Sequence, residues 1–215
     1  MLFEAEVKII ILDFDGVIVE SNDIKDLVFQ TIFKRFPKQY DDLLNYHRTN
    51  VSVSRYAKFD YLLEKIGRTG DIDFKNELLE EFSTITLQMM RSVPFVAGAK
   101  EFLKEIHTQF PTYLASVTPI NDLEIILDIL NIKSFFKGVY GCPPWTKPNA
   151  IRDILWRENC ATENAVLIGD SNGDQKAAAE TCITFVARNS GLIFDEPYPS
   201  RIVPNLINIA GYFKK

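Results

Sequence analysis

Two acidic residues with one residue between them, Asp13 and Asp15, directly follow an apolar run of the chain. The run comprises Val7 and Ile9 to Leu12, interrupted only by Lys8. It is rich in β-branched side chains, which is typical of a strand buried on both faces of a parallel sheet. Ligands of such sheets bind outside the carboxyl ends of the strands. Buried carboxylates need a paired charge or a metal, so two acids at this position favour a catalytic or ligand-binding site. The alternative is an Asp-Gly turn that only reverses the chain.

The stretch DFDGV, from Asp13 to Val17, resembles the first motif, D-x-D-G-[VT], of the haloacid dehalogenase (HAD) superfamily of phosphotransferases. The resemblance implies that Asp13 is the nucleophile and that Asp15 is the general acid and base. The dehalogenase branch lacks an acid at the position of Asp15, and phosphonatases also differ there. The resemblance therefore points away from both of those branches.

A second group of candidates, Ser116, Val117 and Thr118, follows the apolar stretch TYLA. The resemblance implies that a hydroxyl and a neighbouring backbone N–H hold a phosphate oxygen here. Both hydroxyls are eligible, and Ser116 is favoured because it comes directly off the expected strand. A turn or capping role is the alternative, with Thr118 as the cap of a helix that opens after Pro119.

The third and fourth motifs complete the set in chain order. Lys147 stands before Pro148 ahead of an expected helix, and the resemblance implies that its ammonium screens the like charges of nucleophile and phosphate. The stretch GDSNGD matches G-D-x-x-x-D: Asp170 would bind a metal directly, and Asp174 would hold a metal-bound water or orient Lys147. The alternatives are a solvated lysine, a helix cap at Asp170 and a favourable first-turn position for Asp174.

A metal is expected because several carboxylates that converge without a cation would repel one another. Hard oxygen ligands in this number fit Mg²⁺, whose octahedral shell is completed by water and substrate phosphate. The resemblance implies that the metal site is formed by the side chains of Asp13 and Asp170 and the backbone carbonyl of Asp15, with Asp174 holding a metal-bound water or orienting Lys147. The sequence thus predicts Mg²⁺ as the cofactor.

These motifs require a sheet to position them. Outside residues 21–92, short apolar strands alternate with helices of about ten residues, which favours a doubly wound parallel α/β sheet. Residues 21–92 show only helical spacing, and so long a stretch is unlike a loop. We therefore predict a Rossmann-like core from residues 1–20 and 93–215 with an inserted helical domain over 21–92. The insert matches the cap of the phosphoglycolate phosphatase and β-phosphoglucomutase-like branch. A terminal helix is predicted from Pro204 to Phe213.

The polar residues of the insert are candidates for substrate specificity. Arg48 and Arg55 could grip a second anionic or polyhydroxyl part of a substrate, with His47 beside them. The alternatives are surface cations near helix ends and a solvated helix-end histidine. Phe59 and Tyr61, at helical spacing, are predicted to belong to the core of the insert.

Composition restricts the class of protein. The formal net charge of −5 argues against a nucleic-acid partner, which requires a basic face. Three cysteines, odd in number and without a C-x-x-C pair, favour reduced thiols in the cytoplasm. No segment approaches a membrane span, and the first residues lack the positive charge of a signal peptide. A cytoplasmic protein is expected.

The predicted function is a Mg²⁺-dependent phosphomonoester hydrolase that acts on a small phosphorylated metabolite through an aspartyl phosphate. The alternative is a sugar phosphomutase of the β-phosphoglucomutase type, which shares all four motifs. A non-catalytic binding protein on the same fold is a third possibility, disfavoured because binding alone does not need both Asp13 and Asp15. The sequence leaves the oligomeric state open.

Overall fold

The computed structural model describes residues 6–213, and within them six parallel strands form one sheet. The strand order is β3-β2-β1-β4-β5-β6, so the order reverses beside β1, as in a doubly wound fold. The strands are β1 (Ile9–Leu12), β2 (Thr112–Ala115), β3 (Gly138–Tyr140), β4 (Ala165–Gly169), β5 (Thr184–Arg188) and β6 (Ile202–Val203). The predicted α/β class is confirmed.

Strand β1 lies at the centre because all four of its residues are apolar and buried. Ile10 is in register with Thr112 of β2 on one side and with Val166 of β4 on the other. Ile9 and Ile11 join one core cluster, and side chains alternate along a strand, so Ile10 faces the opposite side. A strand covered on both faces accounts for the unbroken apolar run in the sequence.

Eight α-helices lie in the described residues. They are α1 (Asn22–Phe33), α2 (Tyr40–Thr49), α3 (Arg55–Lys65), α4 (Ile72–Met90), α5 (Ala99–Ile106), α6 (Ile120–Ile129), α7 (Lys147–Arg157) and α8 (Asn172–Glu180). None of the helices within residues 6–213 is both long enough and apolar enough to cross a membrane.

The chain forms two compact units. One comprises the residues up to Glu20 together with those from Pro94 onward, and the other is Ser21–Val93. The second unit contains α1 to α4 and has its own apolar cluster, in which Phe59 is fully buried. Tyr61 packs at the edge of that cluster and stacks on Tyr46 with ring centroids 3.9 Å apart.

The predicted terminal α-helix from Pro204 to Phe213 is wrong. The chain instead pairs β6 with β5 and then forms a short 3-10 turn, Ile209–Tyr212. Asn208 has a left-handed backbone (φ 58°) directly before that turn, and a left-handed residue ends regular helical hydrogen bonding. The backbone N–H of Leu206 donates to Ala97 O at 2.9 Å. This bond to a residue distant in sequence takes the place of a helical hydrogen bond.

Candidate active site

The carboxyl ends of three neighbouring strands bring the predicted acids and hydroxyls to one edge of the sheet. Asp13 follows β1, Ser116 follows β2 and Asp170 follows β4, and all three are buried. The backbone N–H of Asp13 donates to Ile168 O at 2.9 Å, and that of Ser116 donates to Tyr140 O at 2.9 Å. The strand ladders therefore continue one residue further and fix the backbone from which these side chains project. Val117, half-buried, follows at the same edge.

Lys147 is the first residue of α7 and does not stand ahead of the helix as expected, and Thr146 caps the helix by accepting from Asn149 N. The lysine Nζ lies 3.0 Å from Asp13 Oδ1 and also contacts Asp174 Oδ1. All three side chains are buried. The alternative of a solvated lysine is therefore wrong.

Asp174 is held from both sides. Its Oδ2 accepts from Ser171 Oγ at 2.6 Å, from Ser171 N at 3.1 Å and from Asp170 N at 3.3 Å, while Oδ1 contacts Lys147. Ser171, and not Asp170, occupies the N-cap position of α8, so the alternative of Asp170 as a helix cap is wrong. The first-turn position of Asp174 is confirmed, and the same carboxylate also orients the lysine.

Three carboxylates converge within reach of one cation. Asp13, Asp170 and Asp174 each offer an oxygen, and these oxygens lie within 4.8 Å of one another. Asp13 Oδ1 is buried without a well-formed hydrogen bond among the described residues, although it forms the ion pair with Lys147. Carboxylate oxygens without Cys or His suit Mg²⁺ better than Zn²⁺. The donor set and the orphaned oxygen fit a hard divalent cation.

The electrostatics of the cluster reflect the excess of negative charge. Burial, reinforced by the nearby Asp174, raises the pKa of Asp13 well above its ordinary value, and Lys147 opposes that rise. Burial works to lower the pKa of Lys147, but Asp13 and Asp174 outweigh it and raise that pKa. The ammonium is thus permanently charged, whereas the charge of Asp13 depends on further positive charge nearby.

Asp15 faces two hydroxyls from the end of β2. Its Oδ2 accepts from Thr118 Oγ1 at 3.0 Å and, at the 3.5 Å limit, from Ser116 Oγ. Thr118 N donates to Ser116 Oγ at 3.1 Å. The N-cap residue of α6 is Pro119, so the alternative of Thr118 as a helix cap is wrong. Because both hydroxyls reach Asp15, geometry alone does not choose which of them would hold a phosphate.

His47 lies inside the second unit and is not a solvated helix-end residue. Its Nδ1 accepts from Lys58 Nζ at 3.0 Å, and its Nε2 lies 3.4 Å from Asp26 Oδ1. Its ring centroid is 4.3 Å from that of Phe29. Burial, followed by the charge of Lys58, lowers the pKa of His47 to about 3. The imidazole is therefore neutral at physiological pH.

The two arginines of the second unit differ. Arg48 is exposed and makes two hydrogen bonds to Asp26, at 3.0 and 2.9 Å. Arg55 is buried, donates to Ser83 Oγ at 2.8 Å and lies 4.6 Å from the centroid of the Phe82 ring. The surface-cation alternative therefore holds for Arg48 and is wrong for Arg55. A role of either in specificity stays a prediction.

Two buried cations were missed at the sequence level, Lys58 and Arg188. Lys58 is spaced four residues from Leu62, so it falls on the apolar stripe of α3, and that spacing was the available signal. Arg188 ends β5 and is buried at the same sheet edge as Asp13. The corresponding signal for Arg188 was a charged residue at the carboxyl end of an apolar strand.

Comparison with known protein families shows to which family the chain belongs. The family model described as haloacid dehalogenase-like hydrolase matches residues 10–188. The chain belongs to this family. The match spans both units and all four predicted motifs. No curated protein matches the chain.

Solved structures share the fold at low sequence identity. A haloacid dehalogenase-like hydrolase from Streptococcus pneumoniae is 21% identical, with a TM-score of 0.74, and the alignment covers 97% of this chain and 99% of the other. A protein from Haemophilus somnus described as a predicted phosphoglycolate phosphatase is 16% identical, with a TM-score of 0.78 and coverages of 98% and 100%. CbbY from Rhodobacter sphaeroides, in complex with phosphate, is 14% identical, with a TM-score of 0.73 and coverages of 94% and 96%.

Proposed function

We propose that this protein is a Mg²⁺-dependent phosphomonoester hydrolase that works through an aspartyl phosphate. The observation that carries the proposal is the cluster of Asp13, Asp170 and Asp174, whose oxygens lie within 4.8 Å of one another, with the ammonium of Lys147 in contact with two of them. Membership of a hydrolase family supplies the reaction class.

Asp13 is the proposed nucleophile. It lies at the carboxyl end of the central strand, where ligands of such sheets bind. A carboxylate that attacks phosphorus in line and is then released by water splits one difficult displacement into two easier ones. The Asp13 carboxylate must be ionised to attack; burial raises its pKa, and the charge of Lys147 opposes that rise.

The cation would be held by the side chains of Asp13 and Asp170 and the backbone carbonyl of Asp15, with Asp174 binding a metal-bound water or orienting Lys147. When bound, Mg²⁺ neutralises the carboxylates and the charge that develops on the phosphoryl oxygens. Lys147 adds a second, permanent positive charge on the Asp13 side. Both act electrostatically on the transition state.

Asp15 is the proposed general acid and base. It would protonate the leaving alkoxide and then accept a proton from the water that hydrolyses the intermediate. Thr118 Oγ1, which donates to Asp15 Oδ2 at 3.0 Å, fixes the orientation of that carboxyl group. The proposed phosphate site consists of the Ser116 hydroxyl, with Thr118 as the alternative hydroxyl, together with the neighbouring backbone N–H of Val117 and the ammonium of Lys147.

The proposed substrate is a small phosphorylated metabolite in the cytoplasm, with neither nucleic acid nor membrane as a partner. CbbY in complex with phosphate, and a mutant of it in complex with xylulose-(1,5)bisphosphate, share the fold. We further propose that residues 21–92 form a helical cap domain on the core of residues 1–20 and 93–215. His47, Arg48 and Arg55 of that cap are the proposed source of specificity.

A panel of phosphorylated metabolites, assayed for phosphate release with Mg²⁺ and with EDTA, tests the proposal. We expect release that requires Mg²⁺ and that falls at least ~10³-fold in Asp13→Asn, because the amide keeps the shape but is not a nucleophile. Asp153→Asn is the matched control and should retain activity. Asp153 lies on α7, and its carboxylate accepts a hydrogen bond from Tyr140. Hydrolysis by Asp13→Asn at the parent rate would refute the nucleophile.

The same panel separates the alternatives. A sugar phosphomutase would interconvert a sugar 1-phosphate and 6-phosphate and release little free phosphate. A non-catalytic binding protein would bind one or more members of the panel and turn over none of them. Rapid release of phosphate from several esters excludes both as the main activity.

A further inference from the structure

Arg188 is a buried cation that the proposed mechanism does not use. It ends β5, and its side chain is 9% exposed. Nη1 donates to Gly16 O at 3.1 Å and to Glu20 Oε2 at 2.8 Å, and Nη2 donates to Glu20 Oε1. The guanidinium thus binds the Glu20 carboxylate through both terminal nitrogens, Nη1 and Nη2, which is the bidentate geometry that makes arginine–carboxylate pairs strong.

The two groups that Arg188 holds lie at the two ends of the turn that carries Asp15. Gly16 has a left-handed backbone (φ 69°), and its N–H donates to Val19 O at 2.8 Å. Asp15 and Val19 form an isolated β-bridge, and Glu20 follows. Arg188 therefore ties the carbonyl of Gly16, the residue directly after Asp15, to Glu20, the residue directly after the bridge that closes the turn.

Stability alone is a weak reason for this arrangement. Taking a guanidinium out of water is costly, and replacing a buried ion pair as a whole by apolar residues is often neutral or stabilising. The Nε of Arg188 is buried without a hydrogen-bond partner among the described residues, which adds to the cost. The guanidinium makes directed hydrogen bonds to Gly16 O and Glu20, which an apolar side chain would not make.

We propose that Arg188 is a positioning residue for Asp15. By fixing both ends of the Asp15 turn it sets where the acid meets the leaving oxygen of a phosphate ester, while Thr118 and Ser116 fix the carboxyl group itself. The inference rests on the proposed function and adds to it a residue from a strand that carries none of the four motifs.

Amide hydrogen exchange tests the hold on the turn without any substrate. Arg188→Lys keeps the charge but loses the fork, and Glu20→Gln removes the charged acceptor at a half-exposed position. Both should accelerate exchange in peptides that cover residues 14–20 by at least ~10-fold, because a turn that is no longer tied at both ends opens more often. Arg152→Gln, at an exposed arginine paired with Glu180, is the matched control and should leave the turn unchanged.

Leaving-group dependence tests the catalytic consequence. An alkyl phosphate needs a proton on its leaving oxygen, whereas p-nitrophenyl phosphate has a good leaving group and needs little acid assistance. Arg188→Lys and Glu20→Gln should lower kcat for the alkyl ester by ~10–100-fold, with KM nearly unchanged, and lower kcat for p-nitrophenyl phosphate far less. The assays are run at a temperature at which circular dichroism shows each variant to be folded.

The outcomes separate the two proposals. Unchanged exchange over residues 14–20, or an equal loss of kcat for both esters, overturns the positioning role of Arg188. If the parent protein hydrolyses neither ester, the proposed function fails, and the exchange experiment still decides whether Arg188 holds the turn. Faster exchange together with a selective loss on the alkyl ester supports the proposal.

Discussion

At the scale of single residues, the site is defined by unequal numbers of charges in a small buried volume. Asp13, Asp170 and Asp174 share that volume with one ammonium, Lys147. One cation cannot balance three carboxylates in a low dielectric. Burial, and after it the charge of Asp174, raises the pKa of Asp13, and a divalent cation would oppose both effects.

The roles of Ser116 and Thr118 can be separated by matched substitutions. Ser116→Ala should weaken inhibition by inorganic phosphate ~10-fold if its hydroxyl binds a phosphate oxygen, because one hydrogen bond to a charged group is worth about 1.5 kcal/mol or more. Thr118→Val keeps the shape and should leave phosphate inhibition unchanged while lowering kcat for alkyl esters. Inhibition constants for phosphate and kcat for an alkyl ester provide the measurement. Weaker phosphate inhibition in Thr118→Val alone would reverse the assignment.

At the scale of elements, strand ends position the acids and close helix packing holds them in place. β4 ends at Gly169, and a Cβ built there would lie 2.8 Å from Asp174 Oδ2 and closer still to other atoms of that side chain. The glycine therefore allows the first turn of α8 to approach the strand. This close approach puts Asp174 beside Asp170.

Gly169→Ala should consequently destabilise the protein by about 1–3 kcal/mol, the usual cost of overpacking, and should reduce activity because Asp174 must move. The free energy of unfolding in urea and kcat measure the two effects. Gly211→Ala is the control, since no heavy atom lies within 4 Å of a Cβ at that position and its φ is not left-handed. Equal stabilities of the two variants would contradict the packing argument.

The buried lysine of α3 gives stability a dependence on pH. Burial, with a smaller contribution from Lys25, lowers the pKa of Lys58 to about 7, while the unfolded chain keeps the ordinary value near 10.4. Between these values the unfolded state binds more protons, so stability rises with pH; below about 7 both states are protonated and the dependence ends. Asp26 opposes the shift, and His47 stays neutral throughout because its pKa is about 3.

Relative to Lys58→Met, the parent protein should therefore gain ~1–3 kcal/mol of unfolding free energy as the pH rises from 7 to 10. Urea titrations of both proteins at several pH values measure the difference, in which the other titrating groups cancel. Lys65→Met, at a more exposed lysine on the same helix, is the control. A difference that is constant with pH would show that the folded-state pKa is not lowered.

The sequence predicted the fold best where a single physical requirement, such as burial on both faces of the sheet, determined the residue types. The strand expected at TYLA is observed as β2 (Thr112–Ala115), all four residues of which are buried, because a strand covered on both faces demands mostly apolar residues. The segment from Pro204 to Phe213 was mispredicted, since its path depends on pairing with β5 and on a left-handed Asn208. Neither feature is visible in local periodicity.

The candidate site shows the same division. Asp13, Asp15, Lys147, Asp170 and Asp174 were identified because their motifs resemble those of the family in chain order, and their positions at strand ends or helix starts agreed with that resemblance. Lys58 and Arg188 were missed because a single basic residue in a sequence is typical of an exposed position. Only their partners in the folded chain, His47 for Lys58 and Gly16 and Glu20 for Arg188, show that they have a structural role. Contacts between residues over 160 positions apart cannot be inferred from spacing.

At the scale of the whole molecule, the helical unit is an insertion that the sheet unit tolerates for a geometric reason. Glu20 N donates to Pro94 O at 2.9 Å, so the chain leaves and returns at nearly the same point. The Val19–Phe95 bridge and the bond from Val96 N to Ile18 O lie directly beside it. A long insertion between such adjacent ends costs little in loop entropy, and the inserted unit builds its own core.

Replacing Ser21–Val93 by a short glycine-containing turn should therefore leave a sheet unit that unfolds cooperatively in urea, because its ends already meet. The shortened chain should still hydrolyse p-nitrophenyl phosphate but should lose discrimination among phosphorylated metabolites, since the proposed specificity residues have been removed. Relative kcat/KM values over the panel measure this, and the shortened chain with Asp13→Asn is the control that must lose all hydrolysis. A shortened chain that folds and keeps the parent's order of preference would place specificity in the sheet unit, close to Ser116 and Thr118, and not in the insert.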